Sequence, residues 1–513
     1  MALLEVLQRR VEQLGLIPKL VKSLPRVSVL LSILGIAWIL SLPMDGQYRN
    51  TYISENALMP SQAYNFFRES EWNFVRGYRE EVVAHLEDSI YDRNTLLQNW
   101  LDEVGYKTSI LNYTSASDGV NKPILFAIYH APKGDDTEAM VLAAPWKTED
   151  GDFNRGGVSL AVGLARYFHR LSIWSKNIIV VFPENAQDAL KYWVDSYHTN
   201  LDQTGGSIES AAVLEYPSGG DGVDFVEISY VGLNGQLPNL DLINCAVMIS
   251  EHEGFKVSLH NTPKGQLWTD DYASRLTTLL KGIFEMATAG ILKNENNGGG
   301  NACEAFSGWN IQTFAIKARG EEGMDITTFG RVIEAVFRSV NNLLEKFHQS
   351  FFFYLLLAPR HFVSIGNYLP AAVLSAFAFA IAALSAILGN NNLYNTVFEP
   401  RVLKVGTKSL ISAFVTFAGV LSASLLFGFA LVYITRTVPY GNEESTDFYT
   451  TLTYGIVISS SLISASPAII SLKIGNLFSK SSTTTEKVPS SLSSNRANNN
   501  HLKPLNDYVL ASI

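Results

Sequence analysis

A single uncharged apolar stretch, residues 27–42, precedes hundreds of residues of mixed, soluble-looking sequence, and the chain turns apolar again only near Asn367. About 20 apolar residues cross a hydrocarbon core. Leu24, Pro43 and Met44 extend the first stretch enough to do so. The layout predicts one membrane helix that hands a large domain to one side of a bilayer, and a helical bundle at the far end of the chain. A cleaved signal peptide is the alternative for the first stretch. The long leader and the sequence Leu42-Pro43-Met44-Asp45, which lacks small residues at the cleavage positions, favour an uncleaved anchor.

Three later segments are span candidates: 368–388, 410–434 and 449–472, the last Ser-rich and interrupted by Pro467. Ser, Thr and Pro are tolerated where helices pack on one another. Loop charge sets orientation. Arg9, Arg10, Lys19, Lys22 and Arg26 place the leader (1–26) in the cytoplasm, and the block after the anchor (27–44) on the far side. Arg401, Lys404 and Lys408 return the chain to the cytoplasm, and Glu443, Glu444 and Asp447 fit the far side. The tail, 474–513, carries Lys480, Lys487, Arg496 and Lys503; its Ser, Thr and Asn have little to bury, so it reads as disordered. All loops agree with four spans, the last three within 367–473.

Composition supports a partly lipid-embedded chain: 47% of the 513 residues are apolar and 17% charged. A net charge of −9 excludes a nucleic-acid binder, which needs a basic face. Two cysteines, Cys245 and Cys303, are too few for a disulfide framework or a zinc knot; whether they pair depends on geometry. Asn112-Tyr113-Thr114 is a glycosylation acceptor pattern within the far-side block, which makes Asn112 the candidate acceptor.

Within that block, apolar runs at 124–129, 140–144, 177–182 and 211–216 read as strands. Amphipathic runs at 157–171, 186–197, 237–251 and 272–287 read as helices. Continuous β-branched runs between helices predict a mixed central sheet covered on both faces, an α/β domain over 45–330. From Arg331 to Phe353, Val332, Val336, Phe337, Val340, Leu344, Phe347 and Phe351 recur at helical spacing and run into an aromatic cluster. Residues 331–366 therefore read either as a last helix packed on the sheet or, favoured by the aromatics, as an amphipathic helix lying on the membrane.

Several chemistries are excluded. There is no Gly-x-Ser-x-Gly elbow, since Gly157-Val158-Ser159-Leu160 lacks the second glycine; there is no His-Glu-x-x-His, no Walker loop and no dinucleotide fingerprint. Glu251-His252-Glu253 reads as a solvated helix end. The order of elements does resemble a zinc aminopeptidase domain, in which strand ends and a Gly-rich turn carry the metal ligands. Here the corresponding strand ends read Ala144-Pro145-Trp146, Pro183-Glu184-Asn185 and Leu214-Glu215-Tyr216, and the turn reads Asn154-Arg155-Gly156-Gly157. The His-x-Asp is missing, Asn154 replaces the bridging Asp, and Asn185 replaces one Glu. A dinuclear zinc centre needs several His and carboxylate ligands with a base, so the expected fold is aminopeptidase-like without peptidase chemistry. Glu215 survives, and Asp325 lies near the place of the distal His. They are candidates to hold one divalent ion or the ammonium of an amine-bearing ligand. The alternative for each is a strand-end or helix-cap carboxylate, and Asp325 in Met324-Asp325-Ile326-Thr327-Thr328 sits where an N-cap would.

These features, with the strings Leu42-Pro43-Met44-Asp45-Gly46-Gln47-Tyr48, Thr51-Tyr52-Ile53-Ser54-Glu55-Asn56-Ala57, Gly232-Leu233-Asn234-Gly235-Gln236-Leu237-Pro238-Asn239-Leu240-Asp241-Leu242 and His348-Gln349-Ser350-Phe351-Phe352-Phe353-Tyr354-Leu355, resemble the GPI-anchor attachment protein family, and its fungal members most. The resemblance covers about residues 1–370. It implies an accessory membrane subunit of the GPI transamidase, multi-pass in the endoplasmic reticulum, with its large domain in the lumen. The implied partners are the other subunits, including the cysteine-protease-like one that carries the transamidation, and the GPI lipid. Members of the family continue with further spans after the fourth, where this chain runs into its polar tail, so a shorter form or an incomplete one is expected. The readings from other classes are a membrane-anchored zinc exopeptidase and a structural membrane protein without a ligand.

Tyr52, Ser54 and Asn56 follow directly on the anchor, at headgroup height, where hydroxyl and amide groups can hydrogen-bond sugar or phosphate. The alternative is a capped turn that seats the domain. Trp309 is a further candidate contact for the GPI lipid. Asn234, Gly235, Pro238 and Asn239 read as a turn and helix start.

Overall fold

The computed structural model describes residues 16–60, 67–115, 119–289 and 301–389. The span candidates at 410–434 and 449–472 and the polar tail lie outside these. The chain divides into two compact units, one made of 1–40 with 368–513, the other of 41–367.

The first unit contains two described helices, α1 (Leu16–Ser41) and α10 (Ile365–Gly389, begun in the second unit). Their stretches Ser23–Ser41 and Ile365–Ser385 are long and apolar enough to cross a membrane. Small and hydroxyl residues line their contact: Ser28 Oγ donates to Ala378 O at 2.8 Å, and a Cβ on Gly35 would sit 2.9 Å from Ser375 Oγ. Close approach over small residues is how helices associate in lipid.

The second unit is built on an eight-stranded mixed sheet of order β2-β3-β5-β4-β6-β9-β7-β8. The strands are β2 (Lys107–Thr114), β3 (Asn121–Tyr129), β4 (Glu138–Ala143), β5 (Asn177–Phe182), β6 (Ser207–Glu215), β7 (Gly222–Ser229), β8 (Lys256–Leu259) and β9 (Gln312–Asp325). Pairs β4/β5, β4/β6, β6/β9 and β7/β8 are parallel, and the rest antiparallel. The β-branched runs are buried on both sides, and their period of two splits them between two cores. Ile178, Val180 and Phe182 join Met140 and Leu142 in one; Ile179 and Val181 join Val141 and Ala143 in the other. Helices α2 (Glu69–Ala84), α3 (Ile90–Val104), α4 (Arg155–His169), α6 (Leu240–His252) and α9 (Ile326–Asn341) feed the first core, and α5 (Asp188–Thr199) and the short α8 (Glu304–Ser307) the second. The expected mixed sheet with helices on both faces is present.

A small antiparallel sheet, β1 (Arg49–Asn50), β11 (His361–Ser364) and β10 (Tyr354–Ala358), joins the two ends of this unit. Helix α7 (Tyr272–Thr288) packs on β10. The amphipathic helix expected over 331–366 is corrected here. Helix α9 starts at Ile326 and stops at Asn341, with Val332, Val336, Phe337 and Val340 buried in the first core, so it is the packed domain helix. Leu344 falls beyond it and is exposed, and the run 354–358 is strand β10, turned back at Pro359 onto β11. The unit therefore extends to Asn367. Cys245 and Cys303 are buried and unpaired with each other. Asn112 is exposed on β2, an edge strand.

Candidate functional site

In parallel sheets ligands gather outside the carboxyl ends of the strands. At the ends of β4, β5 and β6, the residues that stand in the ligand positions are committed to holding the fold. Asn154 is buried. Its Nδ2 donates to Pro145 O and Leu214 O, both at 2.8 Å, and its Oδ1 accepts from Tyr216 N at 2.6 Å. It ties the end of β4 to the end of β6, which a carboxylate, having no donor, would not do. Because its side chain is spent there it does not cap α4; instead the amides of Gly156 and Gly157 donate to Tyr216 O at 2.9 and 3.2 Å. That approach requires glycine: a Cβ at Gly156 would lie 2.1 Å from the Tyr216 ring. Trp146 is buried, donates through Nε1 to Asn94 Oδ1 at 2.9 Å, and carries the Arg93 guanidinium over its ring at 4.7 Å. Glu184 accepts from Tyr113 OH and pairs with Lys122 at 2.8 Å, and Asn185 accepts from the amides of Gln187 and Ala189 at the start of α5.

Beside them lies a buried ionic centre. Glu215 ends β6 and is in register with Lys317 of β9. Lys317 Nζ pairs with Glu149 Oε2 at 2.5 Å; Glu149 Oε1 accepts from Ala302 N, and the Glu149 amide donates to Glu215 Oε1 at 3.1 Å. Arg319, two residues along, binds Glu227 and Asp150, each at 2.8 Å. Burial works against the Lys317 charge, but Glu149, Glu227 and Glu215 override it and hold the ammonium well above its usual range. Burial also pushes the Glu215 carboxyl up to about 8; Lys317 opposes that rise and Glu149 adds to it. Burial thus favours the protonated form of Glu215, while the acids around Lys317 favour its charged form.

This centre opens on a cavity of about 180 Å³ lined by Glu149, Glu227, Tyr230, His260, Glu285 and Lys317, among others. Tyr230 OH and Glu285 Oε2 hold the two ring nitrogens of His260 at 2.7 and 2.5 Å. None of these cavity residues was marked by the sequence. The available signal was a lysine inside the apolar strand run Phe314-Ala315-Ile316-Lys317-Ala318.

The pair Glu215 and Asp325 is not brought together. Asp325 is in register with Gly222, far along β9 from Lys317. It caps α9, accepting from Thr328 N at 2.9 Å and from the hydroxyls of Thr327 and Thr328. Burial would raise its pKa, but these hydrogen bonds hold it below the usual carboxylate range. The single ion expected between the two acids has no common site, and the cap reading holds for Asp325. Among the described residues no group of three or more His, Cys, Asp or Glu side chains could hold a metal ion. The side chains at the strand ends do not fit a dinuclear zinc centre, because amide and indole groups replace its ligands and the Lys317 ammonium stands among the acids that remain.

Around the other candidates the main chain does the bonding. Ser54 N and Glu55 N donate to Asp241 Oδ2 at 3.0 and 2.7 Å, and Asn244 Nδ2 donates to Tyr52 O at 2.8 Å. Residues 52–56 form a seat on α6, and the Tyr52 and Asn56 side chains are exposed. Trp309 stacks on His198 at 4.5 Å and donates to Asp195 at 2.8 Å, both on α5. Helices α5 and α6 cover opposite faces of the sheet, so Trp309 is not brought to Tyr52.

A sequence model of the family described as Gaa1-like, GPI transamidase component, matches residues 122–493. Two curated relatives are similar: GPI transamidase component GAA1 of Saccharomyces cerevisiae, 57% identical over 390 residues, and GPI transamidase component gaa1 of Schizosaccharomyces pombe, 32% identical over 393 residues. The matches cover 76% and 72% of this chain, and the chain spans 62% and 66% of the relatives' lengths. Among solved structures, a leucine aminopeptidase precursor of Bacteroides thetaiotaomicron is similar with a TM-score of 0.33 at 15% identity, covering 53% of this chain and 97% of that one. The LapA aminopeptidase of Legionella pneumophila gives 0.36 at 12%, covering 58% and 78%. On the strength of the match across residues 122–493, this chain belongs to the Gaa1-like family of GPI transamidase components.

Proposed function

We propose that this chain is a non-catalytic subunit of the endoplasmic-reticulum GPI transamidase, a multi-pass membrane protein with residues 41–367 in the lumen. It helps to bind the GPI lipid and scaffolds the complex for a cysteine-protease-like subunit that performs the transamidation. Membership of the family supports the assembly. The observation that carries the non-catalytic reading is Lys317: its ammonium stands among Glu149, Glu215 and Glu227, where a peptidase would present carboxylates to a metal. Tyr52 and Asn56, exposed just past α1, are the proposed lipid contacts; Asn112, exposed on β2, is the proposed glycan acceptor.

The test uses the full chain expressed in cells depleted of their own family member. Restored GPI attachment, co-purification with the cysteine-protease-like subunit and no aminopeptidase turnover in added zinc are expected. Peptide turnover with stoichiometric zinc would establish an exopeptidase instead, and absence of the partner from the purified material would remove the scaffold reading.

A further inference from the structure

We propose that the outer face of α7 lies in the interfacial layer of the lipid bilayer. The helix packs by one side and carries an apolar stripe on another. Its inner side packs into the unit through Thr278 and Leu279, which are buried, and Arg275, which is nearly so. Its outer side carries Tyr272, Leu276, Leu280 and Phe284, each four residues from the next and so neighbours along one stripe. Trp268 extends the stripe before the helix begins. Trp268 is 72% exposed and Leu280 44%, with Tyr272 and Phe284 near 40%. An apolar stripe left on the exposed face of a helix calls for a second apolar phase to cover it.

The position of α7 selects that phase. Arg275 Nη1 donates to Pro43 O at 3.2 Å and pairs with Asp45 at 3.0 Å, and the chain leaves α1 at Ser41. The helix lies on β10, whose first residue Tyr354 pairs with Ser364, and α10 begins at Ile365. One end of α7 is thus pinned beside the exit of one apolar helix, and its body rests on the strand that borders the entry to the other. At 17 residues it is about 25 Å long. The polar groups around the stripe are those of a headgroup layer: Lys256 Nζ stands 4.2 Å from the centre of the Trp268 ring, and Tyr272 follows in the first turn. Apolar side chains on one face with Trp, Tyr and Lys at its end describe a helix lying in the interface plane.

The experiment places a nitroxide spin label on the full chain in phosphatidylcholine nanodiscs. It uses Leu280→Cys and, separately, Phe284→Cys, with Glu103→Cys on the exposed side of α3 as the water-facing reference. Cys245 and Cys303 are buried, so the new thiol takes the label. Collision with molecular oxygen, which concentrates in lipid, is compared with collision with a water-soluble nickel chelate. The oxygen-to-nickel ratio is expected to rise at 280 and 284 above that at 103. Equal ratios at 280, 284 and 103 in nanodiscs would overturn the proposal. So would labels that are open to nickel in nanodiscs and become shielded only when the other transamidase subunits are co-assembled, because the face would then belong to a protein partner.

Discussion

Glu215 and Lys317 sit opposite one another on the adjacent parallel strands β6 and β9, both buried near the middle of the eight-stranded sheet. Burial pushes the Glu215 carboxyl above the ordinary glutamate range. The charge on Lys317 is matched by Glu149, which reaches in from the segment after β4 and contacts both residues.

Removing the cation should therefore be costly. Lys317→Met leaves Glu149 and Glu227 buried with less compensation, and loss of one partner from a buried pair costs about 3–5 kcal/mol. Thermal unfolding of the full chain in detergent should show that loss, and Glu149→Gln added to Lys317→Met should recover part of it. A single variant as stable as the parent would show that the ammonium is not what holds the acids.

The raised pKa of Glu215 predicts a pH slope. The folded chain keeps a proton on this carboxyl up to about pH 8, whereas the unfolded chain releases it near 4.5. Its contribution to stability is full below 4.5 and is lost as pH rises toward 8. Glu215→Gln carries no such proton, so the variant should gain on the parent as pH rises through this window. The gain should grow steadily with pH across this window and reach on the order of a few kcal/mol. Parallel stability curves for the two proteins between pH 4.5 and 8 would contradict this.

Asn154 is expected to tolerate no carboxylate. Asn154→Asp loses both donated hydrogen bonds and sets a charge against the carbonyls of Pro145 and Leu214, a loss of at least about 2 kcal/mol. Chemical unfolding measures it. Zinc uptake by the folded variant should equal that of the parent, and a newly acquired stoichiometric zinc would show that the site is one substitution from function.

For Asp325 the cap predicts a purely local effect. Asp325→Ala should lower stability by about 1 kcal/mol, and Asp325→Asn by less, since the amide oxygen still accepts from Thr328 N. GPI attachment by complemented cells should be unchanged in both. A severe loss of attachment in Asp325→Asn, with stability intact, would restore a role in binding.

The sequence was most legible where burial on both faces enforces a pattern. The β-branched run of β5 and the small-residue helix α4 lie close to their expected bounds. It failed where one pattern passes into another without a break. Apolar spacing continues beyond Asn341 through Leu344 and Phe347 although the helix has ended, and an unbroken run such as 351–357 does not distinguish strand from helix by period alone. The ionic centre was hidden for a different reason. Glu149 comes from the segment after β4, Lys317 and Arg319 from β9 and Glu227 from β7, and only the order β4-β6-β9-β7 brings them together. Trp146 and Asn185 were readable because each follows a strand that was itself readable, and Asn154 because it precedes the readable helix α4.

The pairing of β1 with β11 also bears on how the protein is made. Arg49 and Asn50 are among the first residues of the unit to leave the ribosome, yet their partners are Phe362 and His361, and Gln47 waits for Asn367, 320 positions later. Contacts so distant along the chain form late, because the loop between them must first be ordered. The large sheet, whose strands all lie between, has no such delay. Synthesis should therefore deliver a nearly finished body whose base stays open until the second apolar helix begins to emerge, and the small sheet then fastens it.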